Sequence, residues 1–330
     1  MGIRIFGIYF GTPPTSGTCG NGNLKWQIVD KQLIISGEGR MDDYDQINTS
    51  NEGYYETNVP WYDSRESIEK IIIRDGVTSI GDYAFDGCKI LKGIEIPNSV
   101  ISIGRSAFNG CFKLKKIEIP DSVVSIGGWA FHYCVGLKEM TIPNGVQKIG
   151  GEAFQNCKGL TGIRLPDGIT CIDTQTFYGC KSLLAIHLPD NVTKIENMAF
   201  SCCEKLREVV IPNGVKKIGA LAFEECTSLT DIIIPDSVTF IGNWAFKDCK
   251  NLGAIKIPNK VAVIDNYAFG RCVSLTNIKI PESVVFIGED VFDGCTNLKE
   301  IYYSEDLDYK FVKRLSEGNK ATLISYSHFG

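Results

Sequence analysis

The residues of this chain that could carry chemistry are thirteen cysteines, three histidines and one pair of glutamates. The histidines, His132, His187 and His328, are scattered along the sequence, and no C-x-x-C pair is present. Zinc sites need such clustered ligands. The motifs G-x-S-x-G, H-E-x-x-H and G-x-x-x-x-G-K-[ST] are absent from the sequence as well. We therefore expect no metal site and no cofactor.

The glutamate pair is Glu95 and Glu118, which are 23 residues apart. If they face outward from adjacent strands, their carboxylates are about 5 Å apart, the separation that retaining glycosidases use. Lys116 would relieve their repulsion, and a uniform array offers no cleft, so two solvated glutamates are the simpler interpretation. His187 has no partner at triad spacing. We expect no catalysis; a glycan-acting enzyme that uses Glu95 and Glu118 is the alternative.

The elements that position these residues come from a 23-residue repeat. Ten phenylalanines, from Phe85 to Phe292, follow one another at intervals of 23 residues without an insertion. Cysteines from Cys88 to Cys295 and leucines from Leu91 to Leu298 keep the same register. Three columns in phase identify a repeat array, in which each unit buries its apolar edge against the next.

Within each block the pattern L-x-x-I-x-I predicts a short strand, because alternate residues of a strand face the same side. A proline ends the strand in most copies, and a later column of glycines marks a second turn. The A-F-x-x-C segment is too short for more than one turn of helix. The predicted fold is a leucine-rich-repeat solenoid. It is a right-handed curved stack of about ten coils with a parallel β-sheet wall, an N-terminal β cap and a C-terminal α/β cap.

Ten cysteines share one repeat position, which puts their side chains parallel on neighbouring coils. Parallel side chains oppose disulfide formation, so we expect a ladder of buried, reduced thiols. Cys19, Cys171 and Cys202 lie outside this ladder. Cys202 is adjacent to a ladder cysteine and points to another side of the chain, which makes it the predicted reactive thiol.

The pattern L-x-x-I-x-I-P-x-S/G-V-x-x-I-G-x-x-A-F-x-x-C resembles the BspA-type leucine-rich repeats of bacterial and some protist surface proteins. The segment with Cys19, Trp26 and Pro60-Trp61 is similar to the N-terminal cap of such proteins. The resemblance implies a secreted or cell-surface adhesin without catalysis. Its expected ligand is a host extracellular-matrix protein, a cell-surface protein or a glycan.

The chain is divided into four predicted parts: a leader or extra strand (1–17), a β-rich cap (18–66), the repeat array (67–303) and a C-terminal cap (304–330). Leu24–Val29 and Gln32–Ser36 predict a β-hairpin in the first cap, and Trp26, Trp61 and Tyr62 are expected over the open end of the first coil. The apolar run Ile3 to Phe10 is too short to span a bilayer and is followed by no small-residue cleavage site. We expect no membrane insertion, and no signal peptide is visible, so secretion rests on the resemblance.

Charge and polar loops add two expectations. The net charge of −5 is spread over interspersed acidic and basic residues, so nucleic acid is not an expected partner. The polar stretch from Asp42 to Asn58 is interpreted as a solvated excursion of the cap, with a ligand-contacting loop as the alternative. Its aspartates lack the glycine and distal glutamate of a calcium loop.

Function is best sought at the variable outward positions. The predicted ligand-binding residues are the outward members of the strands: Glu95, Glu118, Thr141, Arg164, His187, Val210, Ile233, Lys256, Lys279 and Tyr302. Val210 and Ile233 form an apolar pair flanked by charge, as recognition surfaces often do. An alternative surface is the outer wall, with Tyr83, Trp129, Trp244 and Tyr267 at one repeat position. We expect a monomer, because caps stop end-to-end addition; a self-assembling structural protein is the third class considered.

Overall fold

The computed structural model describes residues 3–5, 8–10, 12–48 and 55–327. Its chain forms two compact units, Met1–Gly168 and Ile169–Gly330. Tyr54 of the cap loop and His328 lie outside the described residues. The predicted four-part division of the chain stays a prediction.

Among its described residues, the first unit contains sixteen strands and one 3₁₀ helix, Tyr62–Ser67. Its strands are β1 Ile3–Ile5, β2 Ile8–Phe10, β3 Ser16–Cys19, β4 Leu24–Val29, β5 Gln32–Gly37, β6 Gly39–Arg40, β7 Gln46–Asn48, β8 Tyr55–Thr57, β9 Lys70–Ile73, β10 Val77–Ile80, β11 Gly93–Glu95, β12 Ser102–Ile103, β13 Ser125–Ile126, β14 Glu139–Thr141, β15 Lys148–Ile149 and β16 Gly162–Arg164.

The second unit, described from residue 169 to residue 327, contains in that range eleven strands and one α-helix, α1, Tyr309–Leu315. Its strands are β17 Cys171–Ile172, β18 Ala185–His187, β19 Lys194–Ile195, β20 Glu208–Val210, β21 Lys217–Ile218, β22 Phe240–Ile241, β23 Val263–Ile264, β24 Asn277–Lys279, β25 Phe286–Ile287, β26 Glu300–Ser304 and β27 Thr322–Tyr326.

The L-x-x-I-x-I segments form a wall of parallel strands in each unit, which we call the sheet wall. In the first unit β9 pairs with β11, and β14 pairs with β16. In the second unit β18 pairs with β20, β24 pairs with β26, and a single bridge joins Ile233 to Lys256. The predicted parallel solenoid is therefore confirmed. The wall is built from short ladders, however, and residues 114–120 contain no assigned strand.

A second wall was not predicted. It consists of the V-x-x-I strands, all of two residues except the four-residue β10. Together with β6 they form the parallel sheet β6-β10-β12-β13-β15 in the first unit, and they form β17-β19-β21-β22-β23-β25 in the second. We call it the V-x-x-I wall. Strands of two residues carry no alternation to detect, which is why the sequence did not reveal them. The glycine column directly after these strands serves close approach: a Cβ at Gly150 would lie 2.4 Å from the backbone nitrogen of Gly128 in the previous coil.

The A-F-x-x-C segments are tight turns without a helix. Within them alternate backbone N–H groups donate to the next coil, as those of Tyr83, Phe85 and Gly87 do to the carbonyls of Arg105, Ala107 and Asn109. Two positions of every coil lie in the left-handed region, and at the first of them φ is between +52° and +61°. None of the ten residues at that first position is glycine: Tyr83, Ser106, Trp129, Glu152, Gln175, Met198, Leu221, Trp244, Tyr267 and Asp290.

Phenylalanine rings form the centre of the core. Phe108 and Phe131 stack in the first unit with ring centroids 5.3 Å apart, and Phe246 and Phe269 stack in the second at 5.5 Å. Before the first of these rings lies Trp61, which is stacked 6.0 Å from Phe85. Its indole N–H donates to the carbonyl of Ala84 at 2.8 Å. Trp61 thus covers the apolar face that Phe85 would otherwise expose.

The predicted hairpin of the N-terminal region is present, since β4 and β5 pair antiparallel across Asp30 and Lys31. β5 then pairs in parallel with β9, so the hairpin joins the sheet wall of the first unit. Trp26 meets the ring of Trp61 edge-on at 5.9 Å. The apolar run in the leader forms β1 and β2, which pair with each other.

The cysteine ladder is buried as expected, and burial raises the pKa of Cys88 to about 12. The structure adds a role for the sulfur. The Sγ–H of a ladder cysteine donates to the carbonyl of a phenylalanine in the previous coil, as Cys226 does to Phe200 at 3.2 Å. A thiol fills this position because it packs as a small apolar group and still supplies a donor.

The chain ends as its pattern predicts, with a short helix and a closing strand. The Asp308 carboxylate accepts from the backbone N–H of Lys310 at 2.9 Å and caps α1. Phe311 and Leu315 are buried on the inner face of the helix. Strand β27 pairs in parallel with β26 and completes the sheet wall of the second unit.

Candidate ligand-binding surfaces

The outward positions of the sheet wall are set by strand alternation. In β14 and β16, Met140 and Ile163 face the core while Thr141 and Arg164 are exposed. The same alternation exposes nine of the ten predicted ligand-binding residues, and Tyr302 is half-buried. The first unit carries Glu95, Glu118, Thr141 and Arg164; the second carries His187, Val210, Ile233, Lys256, Lys279 and Tyr302.

On the first unit, Glu95 and Glu118 contribute to two different shallow concavities. Glu118 lines one of about 530 Å³, and Glu95 lines one of about 490 Å³. Each carboxylate forms an ion pair at 2.6 Å, Glu95 with Lys70 and Glu118 with Lys116.

These lysines lower the pKa of both glutamates, since each donates a hydrogen bond to the charged carboxylate. A retaining glycosidase needs one carboxylic acid whose pKa is raised, so that it holds a proton near neutral pH. The environment of Glu95 and Glu118 opposes that role and suits two solvated surface charges.

On the second unit, the sheet wall exposes aliphatic side chains. Ile233 is 83% exposed and Val210 is 44% exposed. Leu184, just before β18, is 46% exposed as well. We call Val210 and Ile233 the aliphatic patch. Because the removal of apolar surface from water is favourable, exposed aliphatic side chains of this kind favour contact with a partner.

Charged and polar groups surround the aliphatic patch. His187 Nε2 lies 3.8 Å from the Glu208 carboxylate on the adjacent strand. Farther along the wall, Lys279 Nζ lies 4.1 Å from the ring centre of Tyr326. An apolar centre with a polar rim is the usual composition of a protein interface.

The aromatic residues of the outer wall contact their neighbours within each unit. Tyr83 is buried, while Trp129, Trp244 and Tyr267 are half-buried. Trp129 donates to the Glu152 carboxylate at 2.7 Å and lies 4.4 Å below the Arg105 guanidinium. Because these rings pack against residues of adjacent coils, most of the surface of each ring is buried within the fold.

Similarity to a known repeat family identifies the family of this chain. The sequence profile described as BspA type leucine-rich repeat region matches in overlapping segments, residues 61–183, 129–253 and 216–313. The chain belongs to this family.

Two solved bacterial structures resemble this BspA-type chain along almost its whole length. A leucine-rich cell surface protein from Faecalibacterium prausnitzii is 28% identical, with a TM-score of 0.54 over 94% of this chain and 95% of that one. A leucine-rich repeat protein from Bacteroides ovatus is 26% identical, with a TM-score of 0.50 over 92% of this chain and 98% of that one. A comparison with curated proteins gives no match. Together, the family and these structures indicate a binding or surface protein.

Two other predicted sites have structural partners. The Cys202 thiol donates toward the Glu225 carboxylate at 3.5 Å, and burial raises its pKa, which opposes the predicted reactivity. In the cap loop, the Asp42 carboxylate accepts from the backbone N–H groups of Gly20 and Asn21. Among the residues described, no group of three or more metal-ligating side chains occurs.

In the part of the chain that the structure describes, no helix has the length and apolarity to cross a bilayer.

The sequence interpretation missed one feature of the BspA-type surface, three lysines on the V-x-x-I wall of the second unit. They are Lys194, Lys216 and Lys217. The 23-residue register already puts Lys194 and Lys217 at one repeat position, and the paired strands of the second wall show them as neighbours.

Proposed function

We propose that this BspA-type protein is a non-catalytic, adhesin-like binding protein that recognises a protein or glycan through the sheet wall of its second unit. The observation that carries the proposal is the exposure of Ile233 next to Val210. An isoleucine that is 83% exposed buries little apolar surface within its own fold and can bury most of it against a partner. The similar protein from Faecalibacterium prausnitzii is described as a leucine-rich cell surface protein, which supports this function.

We infer that the protein acts at the cell surface or after secretion, against host extracellular-matrix proteins, cell-surface proteins or glycans. A monomer suits this role, because the sheet wall of each molecule is then free to bind a partner. Light scattering at two concentrations tests the monomer: a mass that grows with concentration would favour a self-assembling structural protein instead.

The experiment measures binding of the labelled protein to a panel of extracellular-matrix proteins and glycans at physiological salt. It compares the wild type with the double variant Val210→Asp, Ile233→Asp. Two charges placed at the centre of the contact should weaken binding by about a hundredfold, because each must be desolvated without a partner. Circular dichroism checks that the variant is folded.

A matched control is available on the first unit. Ile101 and Val124 form another exposed aliphatic pair on adjacent coils, with 52% and 45% exposure. The double variant Ile101→Asp, Val124→Asp adds the same charge and should keep wild-type affinity. Equal loss in both variants would show that added charge, and not the aliphatic patch, controls binding.

A further inference from the structure

The V-x-x-I wall of the second unit carries a compact group of lysines. Lys194 of β19 and Lys217 of β21 are register partners on adjacent parallel strands. Lys216 precedes Lys217, and its backbone N–H donates to the carbonyl of Thr193 in the previous coil. All three side chains are exposed. We call them the lysine cluster. They concentrate positive charge on a chain whose net charge is −5.

The fold itself makes little use of this charge. Among the described residues, no ion pair within 4.0 Å involves any of the three lysines. Two acidic residues of the same wall, Asp173 and Glu196, follow the ends of β17 and β19. Like charges at directly opposite positions of a sheet destabilise it. A bound anion would remove this repulsion, so the cluster has a reason to bind one.

The lysine cluster borders an apolar strip on the same sheet. Phe240 is the register partner of Lys217, and the ammonium of Lys217 lies 5.4 Å from the centre of its ring. The same register continues from Phe240 to Val263 and then to Phe286. These side chains are half-buried or modestly exposed, so the strip is flat. A flat apolar strip next to positive charge fits a ligand that is itself flat on one face and anionic at its edge.

We propose that this surface binds a linear anionic glycan, whose sulfate or carboxylate groups meet the lysine cluster while a sugar ring lies against Phe240. A pyranose ring presents an apolar face of C–H groups, which an aromatic ring can cover. The uninterrupted ladder of six strands gives a repeating support on which a chain-like ligand can extend.

Two other anionic partners fit less well. A bilayer takes up protruding apolar side chains, whereas Phe240 and Val263 are half-buried in the sheet. Nucleic acid is usually held by many basic residues along a groove, and this cluster has three lysines on a flat sheet. Both partners are included as arms of the test.

The test measures affinity of the full chain for a heparin oligosaccharide, which carries sulfates, and for a hyaluronan oligosaccharide, which carries only carboxylates. Neutral dextran, phosphatidylserine vesicles and single-stranded DNA are the comparison ligands. The variant Lys194→Gln, Lys216→Gln, Lys217→Gln removes the cluster. The control variant Lys205→Gln, Lys250→Gln, Lys260→Gln removes the same charge from other exposed positions of the unit.

Removal of the cluster should weaken binding to at least one anionic glycan by about tenfold or more, while the control should stay within about twofold. Phe240→Ser, which installs the residue found at this register in Ser102 and Ser125, should also weaken glycan binding. Heparin alone or hyaluronan alone would identify the anionic group. Added salt should weaken binding, because exposed charges are screened.

Three results would overturn the proposal: no binding of either anionic glycan, equal loss in the cluster and control variants, or tighter cluster-dependent binding to vesicles or DNA. The surface is distinct from the aliphatic patch, which lies on the sheet wall. The variant Val210→Asp, Ile233→Asp should therefore keep heparin affinity, so this inference and the proposed function can fail separately.

Discussion

At the scale of single residues, the repeat demands unusual backbone conformations. Two positions of each coil are left-handed, and at the second of them some coils have glycine while others have larger residues. Gly110 has φ of +70°, and a Cβ built on it would have no atom within 3.4 Å. An added methyl group there would change the backbone preference and little else.

Gly110→Ala should therefore lower the free energy of unfolding by about 1–2 kcal/mol, the cost of a left-handed conformation for an L-residue. The matched control is Gly93→Ala, where φ is outside the left-handed region and a Cβ would meet nothing. Urea titrations of both variants measure the difference. Equal midpoints would contradict the conformational explanation.

A buried carboxyl in the first unit gives a prediction about pH. Burial raises the pKa of Asp86 to about 6, although Asn109 donates to its carboxylate at 2.7 Å. Because this pKa is above the unfolded value of about 3.9, the folded state binds the proton more tightly, and stability falls as pH rises from about 4 to about 6.

Asp86→Asn should consequently raise the free energy of unfolding by about 1–2 kcal/mol at pH 7, where the wild type holds a desolvated charge. At pH 4 the gain should disappear, because the wild-type carboxyl is then protonated in the folded state. Thermal unfolding at the two pH values provides the measurement. A gain that is independent of pH would mean that charge is not its cause.

At the scale of elements, the sequence predicted the strands whose pattern is long enough to show a period. L-x-x-I-x-I predicted the sheet wall, and the predicted C-terminal α/β cap corresponds to α1, whose buried residues are Phe311 and Leu315, and β27. The V-x-x-I wall escaped prediction because its strands are mostly two residues long, and their pairing with other coils is visible only in the structure. The lysine cluster was missed for the same reason.

Other features could not be read because they depend on direct contacts between coils. The cysteine column was interpreted as packing, and its bond to a phenylalanine carbonyl of the previous coil needs three-dimensional neighbours. The glycine column was interpreted as a turn, whereas Gly150 shows that the neighbouring backbone leaves no space for a Cβ. By contrast, the alternation of side chains along a strand was sufficient to predict which residues of the sheet wall face outward.

Trp61 provides a test of how the first coil is covered. Its ring is 1% exposed and contacts Phe85, Trp26 and Tyr44. Trp61→Ala should lower the free energy of unfolding by about 3–5 kcal/mol, through the cavity and the lost hydrogen bond to Ala84. Trp244→Ala, at a half-buried position on the surface, should cost much less. Chemical denaturation compares the two, and similar losses would refute the covering role of Trp61.

At the scale of the whole molecule, a repeat protein fixes its core columns and varies its outward ones. Core positions such as Phe, Cys and Leu recur in coil after coil, so they set the fold and carry little information about a ligand. The differences among outward residues produce separate surfaces on one scaffold: the aliphatic patch on the sheet wall and the lysine cluster on the V-x-x-I wall. Binding by such a molecule depends on which wall a partner meets.

The central claim is that a partner covers the aliphatic patch, and hydroxyl-radical footprinting of the bound complex tests it most directly. Ile233 and Ile101 are both exposed aliphatic side chains, so the free protein should be oxidised at both. With a panel ligand bound, we expect oxidation of Ile233 and Val210 to fall severalfold while that of Ile101 is unchanged. Unchanged oxidation of Ile233 in a saturated complex would contradict the claim.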